Sequence, residues 1–244
     1  MVTTDMATSE MGKTSRKEPT MMPMRSDERL AKRIAKDIIS RYDPLSILDV
    51  GCGDGIISEN IKEDVIYQGL DIVNACIYEQ NHNNPRVRYI EATQVATGMQ
   101  VGSPWEMVLL LDVIEHTPDF TSLFTNAMKN SSNYVIVSLP NELFFLERLR
   151  MLWGKELPAH SLDLVGMPEG FKHQFIINIR KAEKLLSAVA LEEGYELVEE
   201  IVRPLIAKST IKRGLTWILE KITSKDVWSM GSVLVYKKKG HNNK

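Results

Sequence analysis

The chain has 244 residues, 43% of them hydrophobic, enough to bury the core of one large domain. Its 30 basic and 32 acidic residues leave a net charge of -2, so no overall positive field would attract nucleic acid or an anionic membrane surface. Two cysteines are too few for a disulfide framework, and no apolar run approaches the roughly 18 residues of a membrane span. We therefore expect a cytoplasmic protein without nucleic-acid partners.

The chain divides into three parts by composition. Residues 1–25 are rich in Thr, Ser, Lys and Met without periodicity, and are predicted to be a disordered leader. Residues 26–239 are predicted to form a single domain, followed by a tail at residues 240–244. The domain opens with an amphipathic helix over residues 27–42, because apolar residues recur there at helical spacing.

A short β-prone run, residues 47–50, breaks into glycines at alternate positions, Gly51, Gly53 and Gly55. Glycines there allow positive φ and let a ligand approach the backbone closely. Apolar residues in 56–61 predict that a helix opens next, which completes the first unit of a nucleotide-type α/β fold. A dinucleotide fingerprint requires a further glycine where Ile56 stands, so a nicotinamide-cofactor oxidoreductase is disfavoured.

Residues 47–55 resemble motif I of the class I S-adenosylmethionine (SAM) dependent methyltransferases, a hydrophobic strand followed by Asp-x-Gly-x-Gly-x-Gly. The resemblance implies SAM as cofactor and S-adenosylhomocysteine as product. It also implies cofactor contacts from the turn, with Asp49 orienting the ammonium group of SAM. The turn residues concerned are Gly51, Cys52, Gly53 and Gly55.

An acid at the end of the second predicted strand also fits an adenosine ligand. Asp71 lies twenty positions after Gly51, the spacing at which a carboxylate can accept hydrogen bonds from a ribose diol. Ile72 follows it in the predicted cofactor site. In the family an Asp after the third strand often contacts adenine. Here that segment carries no Asp, and the expected substitute is Thr93, Gln94 or a backbone group.

The apolar run 107–111 predicts a central strand buried on both faces. It ends in Asp112, and residues 112–116 read Asp-Val-Ile-Glu-His, which resembles motif IV in the Asp-x-x-Glu-His form of small-molecule methyltransferases. The resemblance implies that Asp112, Val113 and Ile114 lie beside the methionine end of SAM.

The remaining elements follow the same pattern. The family resemblance implies a Rossmann-like three-layer α/β sandwich, with a mostly parallel seven-stranded sheet whose last strand inserts antiparallel between the fifth and sixth. The other strands are predicted at residues 65–70, 87–90, 134–139, 195–202 and 233–236. Further helices are predicted at residues 120–129, 178–193 and 211–222.

Residues 142–172 are predicted to form a lid-like insertion over the substrate. Its first half is apolar on several faces and its second half has no clear period. Trp153 and His160 are the predicted substrate contacts within it. Its apolar character favours an apolar acceptor.

The resemblance implies methyl transfer from SAM to an O, N or C atom of a small molecule. SAM carries its own electrophile, so the protein mainly has to bind and orient it. His116 and His173 are predicted as general bases for a weakly acidic acceptor. No metal is expected, because no histidine pair has i, i+3 or i, i+4 spacing. The alternatives are a catalytically inactive methyltransferase-like binding domain and, less favoured, the oxidoreductase.

Overall fold

A computed structural model describes residues 28–72, 84–90, 102, 104–166, 172–204 and 210–240. Within these ranges there are seven strands, which are β1 (Ser46–Val50), β2 (Ile66–Ile72), β3 (Val87–Ile90), β4 (Trp105–Leu111), β5 (Ser131–Pro140), β6 (Tyr195–Pro204) and β7 (Ser229–Lys238). They form one sheet in the order β3-β2-β1-β4-β5-β7-β6. Strands β1 to β5 are parallel, and β7 pairs antiparallel with both β5 and β6. This confirms the predicted strand arrangement.

Helices pack around this sheet. Helix α1 starts as Glu28–Ile34, continues through a π-helical segment, Ala35–Ile39, and ends with the turn Ser40–Tyr42. The others are α2 (Phe120–Asn130), α3 (Phe145–Leu152), α4 (Ile179–Glu192), α5 (Thr210–Ile222) and α6 (Lys225–Trp228). Residues 1–27, which include the predicted leader, and residues 241–244 of the predicted tail lie outside the described ranges.

The prediction that a helix opens within residues 56–61 and continues is wrong. The structure has only a 3₁₀ helix, Ile56–Glu59, which begins after the left-handed Gly55. It ends at Asn60, whose side-chain amide donates to the Ile56 carbonyl at 2.7 Å, the acceptor that continued α-helix would use. The adjacent β-branched residues Ile56 and Ile57 lower the helix propensity further.

Strand β4 is buried from both sides, as its sequence predicts. Val108 and Leu110 pack in one cluster with the inner faces of α2 and α4. Met107 and Leu109 pack in a second cluster with α1. Because both faces are covered, the loops at the carboxyl edge of the sheet are the accessible part of the central strands.

The antiparallel strand β7 shapes this edge through one glycine. Gly231 pairs with Pro140 on β5 and with Arg203 on β6. A Cβ at Gly231 would lie 2.3 Å from the Leu139 carbonyl oxygen and 3.2 Å from Cδ of Arg203. The missing side chain therefore lets the Arg203 side chain cross β7 towards β4.

We expect Gly231→Ala to destabilise the protein by about 1–3 kcal/mol, because the new methyl group would overlap a backbone oxygen that cannot move away freely. Denaturant unfolding followed by circular dichroism measures the change. Gly214→Ala is the matched control: Gly214 is exposed within α5 and a Cβ there would meet nothing within 4 Å. That variant should gain stability, by roughly 0.5–1 kcal/mol. Equal effects at both positions would contradict the steric argument.

Candidate active site

The glycine turn after β1 is held against β2 by its own amides. The N–H groups of Gly51 and Cys52 both donate to the Leu70 carbonyl, at 2.8 and 3.1 Å. The Gly53 N–H donates to Oδ2 of Asp71 at 2.5 Å. All three amides have acceptors within the protein, so we expect this turn to meet a ligand mainly through its Cα atoms and carbonyl groups.

Each glycine of the turn has positive φ, and two of them also lack room for a side chain. A Cβ on Gly51 would lie 2.2 Å from Cγ2 of Val113, and one on Gly55 would lie 2.5 Å from Cγ2 of Val87. The loop after β4 therefore packs directly on the turn after β1. The two predicted motifs meet in space.

Asp49 lies on β1 with its side chain in the core. Its Oδ2 accepts a hydrogen bond from the Tyr67 hydroxyl at 2.9 Å, whereas the buried Oδ1 has no partner among the described residues. Burial raises the pKa of Asp49 to about 7, with a further rise from nearby Asp71, although the Tyr67 hydrogen bond lowers it. A cation placed at Oδ1 would restore the carboxylate.

Asp71 lies within β2, because this strand continues through Ile72. The sequence predicted that the strand ends at Leu70. Its two oxygens accept the N–H groups of Gly53 and Ile72, at 2.5 and 2.7 Å. Burial raises the pKa of Asp71 to about 6 against the effect of these two bonds. Each oxygen keeps a further lone pair, so the carboxylate can still accept from a diol.

Cys52 is a packing residue. Its side chain is buried, and its Sγ occupies the space that a Cβ on Gly69 would need, 2.6 Å away. Burial, with the nearby carboxylates second, raises the thiol pKa well above its usual range. The thiol stays protonated and is a poor nucleophile.

Asp112 is held in a left-handed turn by two other strands. Its φ is 52°, a conformation uncommon for residues other than glycine. Its Oδ1 accepts from the Ser138 hydroxyl at 2.5 Å and from Nη1 of Arg203 at 2.6 Å, and its own N–H donates to the Ser138 hydroxyl at 2.8 Å. These contacts fix the start of the loop that carries Val113 and His116.

The next residues form a 3₁₀ turn, Ile114–His116, that points a carboxyl group inward. Ile114 and Glu115 are about 1% exposed. Burial raises the pKa of Glu115 well above its usual range, and the negative charge of Asp112 raises it further. Oε2 of Glu115 is buried without a hydrogen-bond partner among the described residues.

His116 and His173 lie together, with ring centroids 4.5 Å apart and an edge-to-face arrangement. Nδ1 of His116 lies 3.2 Å from the Lys172 carbonyl oxygen, so that nitrogen carries the proton and Nε2 keeps its lone pair. Burial lowers the pKa of His116 to about 4, helped by the neighbouring His173. His116 is therefore neutral at physiological pH.

Glu142 lies just after β5 and contacts residues in the middle of the predicted insertion and just beyond its end. Its Oε1 lies 2.9 Å from Nε2 of His160 and 2.8 Å from Nδ1 of His173, and its Oε2 accepts the Ile177 N–H at 2.9 Å. Burial alone raises the Glu142 pKa, but the His173 and Ile177 hydrogen bonds outweigh it and leave the pKa below its usual value.

In the described part of the chain, two sets of side chains offer ligand atoms within 4.8 Å of one another: Glu115, His116 and His173, and Glu142, His160 and His173. The prediction of no metal rested on spacing along the chain. Such spacing detects ligands on one helix, whereas these come from separate loops.

The structure thus gathers Gly51, Val113, His116, His160 and His173 at one edge of the sheet, through contacts from one to the next. Trp153, a predicted substrate contact, is 69% exposed and its backbone caps α3. Thr93 lies outside the described residues. Sequence reasoning missed Glu115, Glu142, Ser138 and Arg203. For Glu142 a signal existed, because an acid directly after a strand of a parallel sheet lies at the ligand-binding edge.

Solved structures of methyltransferases share this fold. A SAM-dependent methyltransferase from Archaeoglobus fulgidus matches with a TM-score of 0.56 and 14% identity, over 87% of this chain and 95% of the other. Magnesium protoporphyrin IX methyltransferase from Synechocystis PCC 6803, solved with bound S-adenosylhomocysteine, matches with a TM-score of 0.53 and 14% identity, over 87% and 83%. Both carry the same Rossmann-like arrangement.

The curated relatives are also methyltransferases. The chain is 25% identical over 178 residues to a ubiquinone biosynthesis O-methyltransferase of Bartonella tribocorum, over 67% of this chain and 68% of the relative. It is 26% identical over 112 residues to that of Leptothrix cholodnii, over 43% and 48%. The chain thus spans between about half and two thirds of the length of these relatives.

A family model described as a methyltransferase domain matches residues 24–191, more than half of the chain. Neither the inactive binding domain nor the nicotinamide-cofactor oxidoreductase is favoured by these matches. The predicted family is therefore confirmed: the chain belongs to the class I SAM-dependent methyltransferases.

Proposed function

We propose that this protein transfers the methyl group of SAM to a hydroxyl oxygen of a small, apolar molecule. One observation carries the proposal. Val113 packs on Gly51, and three residues further on His116 pairs with His173, so the cofactor turn and two histidines share one edge. The names of the relatives, which are O-methyltransferases, support oxygen as the methylated atom.

Two buried acids match two polar parts of SAM, the ribose diol and the ammonium group of the methionine. Asp71 accepts from the ribose hydroxyls through the lone pairs that Gly53 and Ile72 leave free. Asp49 binds the ammonium group through its unpartnered Oδ1, directly or through a water. Both carboxylates lose part of their desolvation cost when these groups arrive.

His116 acts as the general base in this proposal. The Lys172 carbonyl holds its Nδ1–H, which leaves the Nε2 lone pair to accept the acceptor's hydroxyl proton. SAM, when bound, would supply the methyl group to the acceptor oxygen and would leave as the thioether S-adenosylhomocysteine, with its sulfur keeping the electron pair of the broken carbon–sulfur bond. His173 lies edge-on to His116, and contact with Glu142 gives it a separate role.

An apolar acceptor fits the exposed side chains of the insertion. Four large hydrophobic residues there are more than two-thirds exposed, namely Leu152, Trp153, Leu162 and Val165. Exposed apolar groups grouped in one segment are typical of binding surfaces. No helix in the described part of the chain is long and apolar enough to cross a membrane. The cytoplasmic location and the absence of nucleic-acid partners stay predictions.

We expect Asp49→Asn to weaken SAM binding about 10- to 100-fold, because it removes a charge-assisted hydrogen bond worth about 1.5–3 kcal/mol. The same change should stabilise the protein without cofactor above pH 7. Folded Asp49 keeps its proton up to about pH 7 against a usual value of 3.8. Stability therefore falls as the pH rises through this window, and the variant should lack that fall, roughly 2–4 kcal/mol.

Isothermal titration with SAM and S-adenosylhomocysteine measures the affinity, and urea unfolding at pH 5 and pH 8 measures the stability. Asp37→Asn is the control, since Asp37 is an exposed partner of Arg33 on α1 and should change neither result. Absence of binding by the unaltered protein to either ligand would overturn the proposed function. Equal pH dependence in Asp49→Asn would refute the role of the buried carboxyl group.

We expect His116→Gln to lower kcat by about 10² to 10⁴ with a hydroxyl acceptor, because the base is lost while the cofactor turn is untouched. A screen of phenols and other apolar alcohols with methyl-labelled SAM supplies the acceptor. Affinity for S-adenosylhomocysteine should stay unchanged in the variant. An unchanged kcat would show that another group, or none, accepts the proton.

A further inference from the structure

Three side chains from three separate places converge, and one of them is His173 of the His116–His173 pair. Glu142 lies two residues after the end of β5, His160 ends the 3₁₀ turn Pro158–His160, and His173 precedes α4. One ring nitrogen of each histidine approaches the same oxygen, Oε1 of Glu142, at 2.9 and 2.8 Å. Two imidazole nitrogens and one carboxylate oxygen thus share one small volume.

We propose that Glu142, His160 and His173 form a binding site for one divalent transition-metal ion, and that Zn²⁺ is the best match. Ions of this class bind nitrogen and oxygen at about 2.0–2.2 Å, so neighbouring ligand atoms lie roughly 3 Å apart. The separations from Oε1 to the two nitrogens already have that size. Two histidines with one carboxylate leave at least one coordination position open, as in catalytic zinc sites.

The types of ligand atom also determine which metal ion the site prefers. Imidazole nitrogen suits Zn²⁺, Co²⁺ and similar first-row ions, whereas Mg²⁺ and Ca²⁺ prefer a shell of oxygens. With two nitrogens among three protein ligands, the site should discriminate against Mg²⁺. The ion would be held by neutral imidazoles, each with its proton on the nitrogen that faces away from Glu142.

The surroundings fix the carboxylate in place. Oε2 of Glu142 accepts the Ile177 N–H at 2.9 Å, which leaves Oε1 for the ion. The preceding Asn141 is buried, and its amide donates to the carbonyl groups of Asp226 and Ser229 at 2.9 and 2.8 Å. Such supporting contacts orient ligands and raise metal affinity.

The set with Glu142 is better formed than the set with Glu115. In the Glu142 set both nitrogens contact the carboxylate oxygen, at hydrogen-bonding distance. In the other set Oε2 of Glu115 has no hydrogen-bond partner among the described residues, and Nδ1 of His116 faces the Lys172 carbonyl. The side chains of Glu142, His173 and His160 are 9%, 15% and 23% exposed, so solvent or an acceptor oxygen can reach the open position.

An ion here would tie together the beginning, the middle and the end of the insertion, and would place a Lewis acid beside the histidine pair. The site does not depend on the proposed function, because it is defined by protein ligands alone. The alternative interpretation is a hydrogen-bonded cluster without a metal ion, in which the two imidazole N–H groups donate to Glu142.

The test titrates the full chain, after treatment with a chelator, with Co²⁺, Zn²⁺ and Mg²⁺. Co²⁺ reports nitrogen coordination through its visible absorption, and Zn²⁺ affinity follows from competition with a chromophoric chelator. We expect one equivalent of Co²⁺ or Zn²⁺ to bind and Mg²⁺ not to compete. Glu142→Gln and His160→Ala should each weaken binding more than about 100-fold. His116→Ala is the matched control and should keep the site.

Binding of S-adenosylhomocysteine and thermal melting are measured on the same samples, so a misfolded variant or a failed function is recognised separately. Zn²⁺ should raise the melting temperature of the unaltered protein and not that of His160→Ala. If His160→Ala does not fold, His160→Gln replaces it. Absence of stoichiometric Co²⁺ or Zn²⁺ binding would overturn the proposal. So would binding that survives in His160→Ala and is lost in His116→Ala.

Discussion

The ion pair between Arg203 and Asp112 ties the two halves of the sheet together at its carboxyl edge. Arg203 lies on β6, the last strand of the sheet, and its guanidinium reaches Asp112 at the end of β4. The side chain can take this path because Gly231 leaves β7 open beneath it. Since Asp112 begins the loop that carries Val113 and His116, the position of the site depends on a strand that is itself remote from the cofactor turn.

Two carboxyl groups of this edge lie where they lower the stability of the protein. Oδ1 of Asp49 and Oε2 of Glu115 are buried without partners among the described residues, and burial raises the pKa of both groups. A buried polar atom without a hydrogen bond costs roughly 1–3 kcal/mol, so a core without a ligand to bind would gain by replacing it. This cost supports the proposal that the edge receives polar groups of a ligand.

Sequence reasoning predicted all seven described strands, and the family resemblance supplied the position of the last strand, antiparallel between the fifth and the sixth. It failed where local hydrogen bonding overrode hydrophobic spacing. Residues 56–61 have helical periodicity, yet the Asn60 side chain takes the Ile56 carbonyl as its acceptor and the helix ends after four residues. It also ended β2 too early, because pairing with β3 extends that strand through Asp71 to Ile72.

The residues of the site divide by how far their partners lie along the chain. Gly51, Gly53 and Asp71 could be proposed from the sequence because a strand, a turn and a second strand follow one another in immediate succession. Glu142 meets partners 18 and 31 positions away, and Arg203 meets one 91 positions away. Contacts of that range depend on which strands are neighbours and on a glycine that opens the path between them. The glycine turn can therefore be predicted from local sequence. The groups proposed to shape the acceptor side can be identified only in the folded structure, in which the insertion and β6 return to the same edge.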